Sequence, residues 1–310
     1  MVNCSYELEK YWDEKVKMSK NKFDKLIEKR DAQLNKIKSK IEKDNKVSLK
    51  IVEIIHQGSC RMKTLIKQDE EYDIDVGIVF DANSLKRNNT THPDTIKNYI
   101  SEKLKDERFT KPPKKKKNCI RIFYKDNYHI DIVVYNKKQD TEYYLASSEW
   151  EKSNPKNINS WFDEEKRNKL YLRKIVQLLK KWSKSRDGFN MPSGLIFTIL
   201  ASECYFESDR LDESFYKTLQ NIKNRLKENL RIYIPNTNIE ITSSNKHKNR
   251  VKNFLKRLED DFSKDFGKLS IEQDKNRVLN IWKKFFNDDF FDQFAKTKQV
   301  ASESYLWRSH

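Results

Sequence analysis

The sequence predicts an α+β protein, a strand-bearing part followed by a helical one, and three observations carry that prediction. Apolar residues recur at three- and four-residue spacing from Tyr6 to Lys43, the period of one helix face. Strict alternation then marks Tyr72–Phe80 and His129–Tyr135, the period of a half-buried strand. From Ser160 onward the helical period returns. A chain of 310 residues has room for two domains, expected at 1–159 and 160–310.

Taken in order, Leu8, Trp12, Val16, Phe23, Leu26, Ile27, Leu34, Ile37 and Ile41 predict one long N-terminal helix, roughly 55 Å at 1.5 Å per residue. Lys50–His56 reads as a first strand feeding a turn at Gly58-Ser59, with Ser59 expected to cap a short segment Cys60–Lys67. Next comes the strand in which Tyr72, Ile74, Val76, Ile78 and Phe80 alternate with Asp73, Asp75, Gly77 and Val79. Pro93 suits the first turn of a helix running to about Asp106. The run KPPKKKKN, Lys111–Asn118, is expected as an exposed basic loop. Ile120–Lys125 and Tyr128–Tyr135 form a hairpin turning at Asp126-Asn127.

In the helical part, Ser160-x-x-Asp163 is read as a cap before an amphipathic helix carrying Leu170, Ile175, Leu178, Leu179 and Trp182. Pro192-Ser193-Gly194 opens the very apolar Leu195–Phe206. Leu211–Asn229 and Val251–Phe266 follow. Ser270-x-x-Gln273 then starts a last helix with Val278, Ile281, Trp282, Phe285 and Phe286 on one face.

The formal charge is +17 with a pI near 9.4, a field that attracts nucleotides, nucleic acid or an anionic surface without choosing among them. A lysine-rich composition can equally be a habit of the genome. No apolar run is long enough to span a bilayer, and MVNCSYELEK lacks a secretory core, so a soluble, cytoplasmic protein with no membrane role is expected. Cys4, Cys60, Cys119 and Cys204 lie far apart with no C-x-x-C pair, which argues against disulfide staples and zinc.

The chemistry sits on the two alternating strands. Side chains at i and i+2 share a face, so Asp73 and Asp75 point the same way, roughly 7 Å apart at Cα. Asp131 again stands opposite an apolar face, formed by Ile130, Ile132 and Val134. If the strands are neighbours, three carboxylates converge, and they would repel one another unless a cation lay among them. Oxygen-only donors of this kind suit Mg²⁺ or Mn²⁺. Gly58 permits a close backbone approach, and free N–H groups after it would face an anion. An Asp-x-Asp at a strand edge is usually a solvated pair, and a lone Gly-Ser is usually only a turn. It is the conjunction, a phosphate cradle followed by metal-binding carboxylates, that describes a nucleotidyl-transfer site.

With GS, DID and the later IDIVV in hand, the chain resembles the polymerase-β-type nucleotidyltransferases, and among them the cGAS/DncV-like enzymes (CD-NTases) of bacterial anti-phage signalling. LLKKW at Leu178–Trp182 and MPSG at Met191–Gly194 resemble motifs of the same branch, and the likeness covers most of Lys50–Phe206. The resemblance implies a polymerase-β-like core with a mixed sheet, a long N-terminal spine helix and a helical C-terminal lobe. It implies two ions, Mg²⁺ or Mn²⁺, on catalytic Asp73, Asp75 and Asp131. To Gly58 and Ser59 it adds Gln57, Lys180 and Ser193 as nucleotide-binding residues. The expected activity joins nucleoside triphosphates, ATP and/or GTP, into a cyclic di- or trinucleotide without a primer, by a monomer. Two other readings compete: a transferase acting on an RNA end or another acceptor, and a non-catalytic nucleic-acid-binding protein. Non-specific nucleic-acid contact through the basic surface stays open under all three.

Overall fold

The computed structural model describes residues 1–67, 72–104, 109, 111–124, 128–139, 142–186, 188 and 190–295. The expected turn at Asp126-Asn127 lies outside the described residues. The order of elements is α1 (Ser5–Tyr11), α2 (Lys20–Glu42), β1 (Ile51–His56), α3 (Gly58–Arg61), β2 (Tyr72–Asp81), α4 (Ala82–Arg87), α5 (Pro93–Leu104), β3 (Lys111–Lys115), β4 (Ile120–Tyr124) and β5 (Tyr128–Lys137). It continues with β6 (Tyr143–Ala146), β7 (Trp150–Lys152), α6 (Asn157–Asn168), α7 (Leu172–Lys184), α8 (Gly194–Glu203), α9 (Leu211–Glu228), α10 (Asn245–Ser263) and α11 (Lys275–Phe286). This is the α+β architecture the patterning predicts, with a mixed sheet and a helical C-terminal half.

Among the described residues the sheet has seven strands, ordered β1-β2-β5-β4-β3, with β6 and β7 continuing from β5. β2 and β5 are parallel neighbours, and parallel strands need a crossover. Here α4, α5, β3 and β4 supply it. In that register Asp75 pairs with Asp131 and Asp73 with His129, so the polar sides of both strands share one face. On the opposite face Ile74, Val76, Ile130 and Ile132 are buried with Leu34, Ile37 and Ile41 of α2 and Ile96 and Ile100 of α5. Each such side chain contributes about 1.5–3 kcal/mol by leaving water, enough to hold the carboxylate face in place.

Lys111–Lys115 is an edge strand against β4, not the expected loop. Only an edge tolerates Pro112 and Pro113, which have no N–H to donate, and its lysines discourage pairing with another chain.

The N-terminal helix is also corrected, from one rod to two helices. A π-helical turn, Trp12–Val16, ends at the extended Lys17 (φ −68°, ψ 131°), and Ser19 starts α2 by accepting a hydrogen bond from the Lys22 N–H at 3.4 Å. The cause is packing. Cys4, Leu8, Tyr11 and Val16 belong to the core of the helical half, with Trp182, Phe215 and Phe286, whereas Met18, Leu26 and Leu34 belong to the sheet's core. One straight helix cannot serve both cores. Two expected caps also move. Ser160 lies inside α6, and α11 starts from Asp274, whose carboxylate accepts from the Arg277 N–H at 2.8 Å.

Candidate active site

Gln57 follows β1 as the residue before α3 and hands the chain to Gly58, whose φ of +65° is a left-handed conformation that costs glycine little. A second constraint coincides there. A Cβ on Gly58 would lie 2.0 Å from Oδ2 of Asp75, so the turn and the carboxylate fit only because that atom is missing. Ser59 is the second residue of α3 and caps nothing with its side chain, contrary to expectation. The helix starts at Gly58, two residues earlier than expected, and the Ser59 side chain lines the cavity.

That cavity, of about 460 Å³, collects every residue the sequence singled out. Gln57, Gly58 and Ser59 form one wall, and Asp73, Asp75 and Asp131 rise from the sheet. Lys180 of α7 and Ser193, the residue before α8, close it from the helical half. A second cavity of about 240 Å³ adjoins it at Ser59, Asp73, Lys180 and Gly194, and extends to Ser183 and Lys184. Another, of about 370 Å³ between Trp12 and Gln177, contains none of the carboxylates and is distinct from the site.

The carboxylates differ in environment. Asp73 is exposed, Asp75 partly so at the cavity wall, and Asp131 is buried. Lost hydration, then repulsion from Asp131 and Asp73, pushes the Asp75 carboxyl up to about 7. Between the ordinary 3.8 and about 7 the folded chain therefore binds more protons at Asp75 than the unfolded chain does. Stability from this group is complete at acid pH, falls as pH rises through that window and levels off above it. With divalent ions chelated, thermal unfolding at a series of pH values should show that slope, and Asp75→Asn should flatten it. A slope unchanged in the variant would place its origin elsewhere.

Lys180 donates from Nζ to the Thr64 carbonyl oxygen at 3.1 Å and to Thr64 Oγ1 at 3.0 Å. Loss of hydration lowers its ammonium to about 8, against an opposing pull from Asp75. Gly194 allows this approach, since a Cβ there would lie 2.9 Å from Lys180 Cε. Gln57 is oriented by Tyr135, whose Oη accepts from Gln57 Nε2 at 3.1 Å. Other basic residues near the turn have different partners. Arg61 pairs with Asp163 of α6 at 2.6 Å, and Lys67 Nζ donates to the Glu14 carbonyl.

Arg121, on β4 directly opposite Asp131, escaped the sequence reading. Its Nε donates to Asp131 Oδ1 at 2.7 Å and its Nη2 to Asp131 Oδ2 at 2.6 Å, while Nη2 also forms an ion pair with Asp73 Oδ1 at 3.0 Å. One signal was available, because Arg121 alternates with Ile120 and Ile122 and so faces the acidic side. Thr64 and Tyr135 were missed too, and no local pattern marks either.

Oxygen-only carboxylates close enough for Asp131 and Asp73 to repel the Asp75 charge match a hard divalent ion, which would offset that repulsion. Among the described residues no three acidic, histidine or cysteine side chains stand ready-spaced as a cage, and Arg121 already engages both oxygens of Asp131. The residues fit such an ion in chemistry, with Arg121 as its rival.

Residues 52–135 match the family described as cyclic GMP-AMP synthase DncV-like, nucleotidyltransferase domain. The chain carries a DncV-like nucleotidyltransferase domain. Asp73, Asp75, Asp131 and the Gly58-Ser59 turn all fall within that domain. Similar curated proteins are a c-di-GMP synthase of Roseivirga ehrenbergii, 25% identical over 61% of this chain and 57% of that protein, and a cyclic GMP-AMP synthase of Escherichia albertii, 25% identical over 60% and 45%. The chain thus spans about half the length of these relatives. Among solved structures, an Escherichia coli CdnC in complex with HORMA-deltaN superposes at a TM-score of 0.67 and 16% identity, covering 91% of this chain and 96% of that one. The Vibrio cholerae DncV cyclic AMP-GMP synthase, in complex with the linear intermediate 5' pppA(3',5')pG, gives 0.65 and 16%, covering 88% and 92%. At such identity these likenesses establish the fold of the DncV-like domain and of the helices that follow it.

Proposed function

We propose that the chain joins nucleoside triphosphates, without a primer, into a cyclic di- or trinucleotide that serves as a second messenger in anti-phage signalling. The observation that carries this reading is the single cavity lined by the Gln57–Ser59 turn, the three aspartates, Lys180 and Ser193. ATP and GTP are the proposed substrates, by analogy with the DncV variant solved with both. In each step an acceptor ribose oxygen attacks the α-phosphorus of a donor. The α–β phosphoanhydride bond breaks, pyrophosphate leaves, and the hydroxyl proton passes to a carboxylate or water.

Asp73, Asp75 and Asp131 would hold two Mg²⁺ or Mn²⁺ ions, which when bound supply charge neutralisation at the phosphates and a more acidic acceptor hydroxyl. The protein's own part is positional. The N–H groups after Gly58 and the Ser59 hydroxyl face the leaving phosphates, and Gln57 borders the donor. Lys180 neutralises phosphate charge from the opposite wall, and Ser193 contacts the same group. The two parts, 1–159 and 160–310, act as the jaws of this cleft, with residues 4–16 packed into the second.

Lys180→Ala should raise the apparent KM for nucleotide about tenfold or more with a smaller change in kcat, as removal of a ground-state phosphate contact requires. An unchanged KM would count against that role. The reaction itself is tested by incubating the protein with labelled nucleoside triphosphates and Mg²⁺ or Mn²⁺, without primer, then with phosphatase. Phosphatase-resistant small products support cyclisation. Label transferred only to added RNA supports the acceptor-transferase reading, which the +17 charge keeps open. Retention of RNA with no transfer at all would overturn both.

A further inference from the structure

We propose that Arg121 competes with a divalent cation for Asp131 and Asp73, so that an ion is bound by the third carboxylate only when the guanidinium has exchanged that partner for phosphate. The proposal rests on the metal-dependent reading above and concerns what the chain does before chemistry. Three contacts support it. The guanidinium is forked onto both Asp131 oxygens at 2.7 and 2.6 Å, and it reaches Asp73 at 3.0 Å. One cation therefore spans two of the three carboxylates.

The register makes this built-in. Arg121 and Asp131 are direct cross-strand partners, and Asp131 pairs in turn with Asp75, so guanidinium and carboxylates line one row across three strands. The Asp131 carboxylate and the Arg121 side chain are 11% and 19% exposed, where water competes weakly for either charge. Arginine keeps its charge throughout the accessible pH range, so it cannot leave by deprotonation. It leaves by trading one anion for another, and phosphate oxygens match the same planar fork. An ion arriving with a triphosphate brings that anion along, whereas an ion arriving alone must displace the guanidinium into solvent. Metal and nucleotide should therefore bind cooperatively, a coupling that a merely structural ion pair would not produce.

The test is Mn²⁺ binding by the full chain, followed by electron paramagnetic resonance of free Mn²⁺, with and without a non-hydrolysable nucleoside triphosphate. The wild type should bind Mn²⁺ weakly alone and more tightly with the analogue. Arg121→Met, which keeps bulk and removes charge, should bind Mn²⁺ alone about tenfold more tightly, the size expected from losing one charge-assisted competitor. Its gain from added nucleotide should shrink accordingly. Arg121→Lys, with one point charge in place of a fork, should fall between, and it serves if the methionine variant fails to fold. Equal or weaker Mn²⁺ binding in the variants, with the wild type still binding Mn²⁺ in the presence of nucleotide, overturns the competition and leaves the metal reading intact. Absence of Mn²⁺ binding by every protein even with nucleotide overturns both.

Discussion

Replacing Asp75 by Asn should reduce product formation by about 10³-fold or more, since a site of this kind draws several kcal/mol from charge held at the phosphates. The fold should survive. Asp75 pairs in register with Asp131, and its raised pKa records that its charge is unwelcome there before any cation arrives. A neutral amide of nearly the same shape removes that conflict, so the melting temperature above pH 7, with ions chelated, should equal or exceed the wild type's. Turnover of labelled triphosphates and a thermal melt on the same preparation check both halves. Normal turnover in a cleanly folded variant would remove Asp75 from the reaction.

Gly58→Ala should cost about 10²-fold in turnover, the size of effect that follows a displacement of roughly 1 Å at a reacting centre. Two independent penalties meet at this residue. Alanine at φ +65° is strained by about 1–2 kcal/mol, and its methyl would collide with the Asp75 oxygen 2.0 Å away. Relief comes either from rotating the carboxylate or from shifting the turn that carries Ser59. Each misplaces a group proposed to face the nucleotide. The signature is a loss mainly in kcat, with the melting temperature lowered only by a few degrees. Wild-type kinetics would mean that the turn and the carboxylate do not act together.

Much of this site was legible because a strand's period of two fixes which side chains share a face. Asp73 and Asp75 needed nothing else, and Asp131 needed only the assumption that its strand lies beside theirs, which the parallel register supplies. Lys180 and Ser193 were legible only through family likeness. What stayed hidden depends on distant pairing. Arg121 lies in a hairpin that the sequence reading had already drawn, yet its facing partner follows from register rather than from composition. The interruption at Lys17 was invisible for another reason. The helical period runs on both sides of it, and the break arises from two separate cores, Leu8 and Tyr11 in one and Leu26 and Leu34 in the other. Lys111–Lys115 looked like a loop because its prolines and lysines disfavour strands in general, a preference that an unpaired sheet edge cancels.

The segment Lys63–Leu65 gives the molecule a latch. On one side the backbone that follows it is stitched to the N-terminal crossing, with the Lys67 N–H on the Val16 carbonyl at 2.7 Å. On the other, α7 grips it twice, through Gln177 Nε2 on the Lys63 and Leu65 carbonyls and through Lys180 Nζ on Thr64. Widening the gap between sheet and helices by moving α7 away would break four hydrogen bonds, each worth about 0.5–1.5 kcal/mol. The lysine proposed to meet the triphosphate is thus also a bolt between sheet and helices, and a nucleotide that drew its ammonium forward would loosen that clasp.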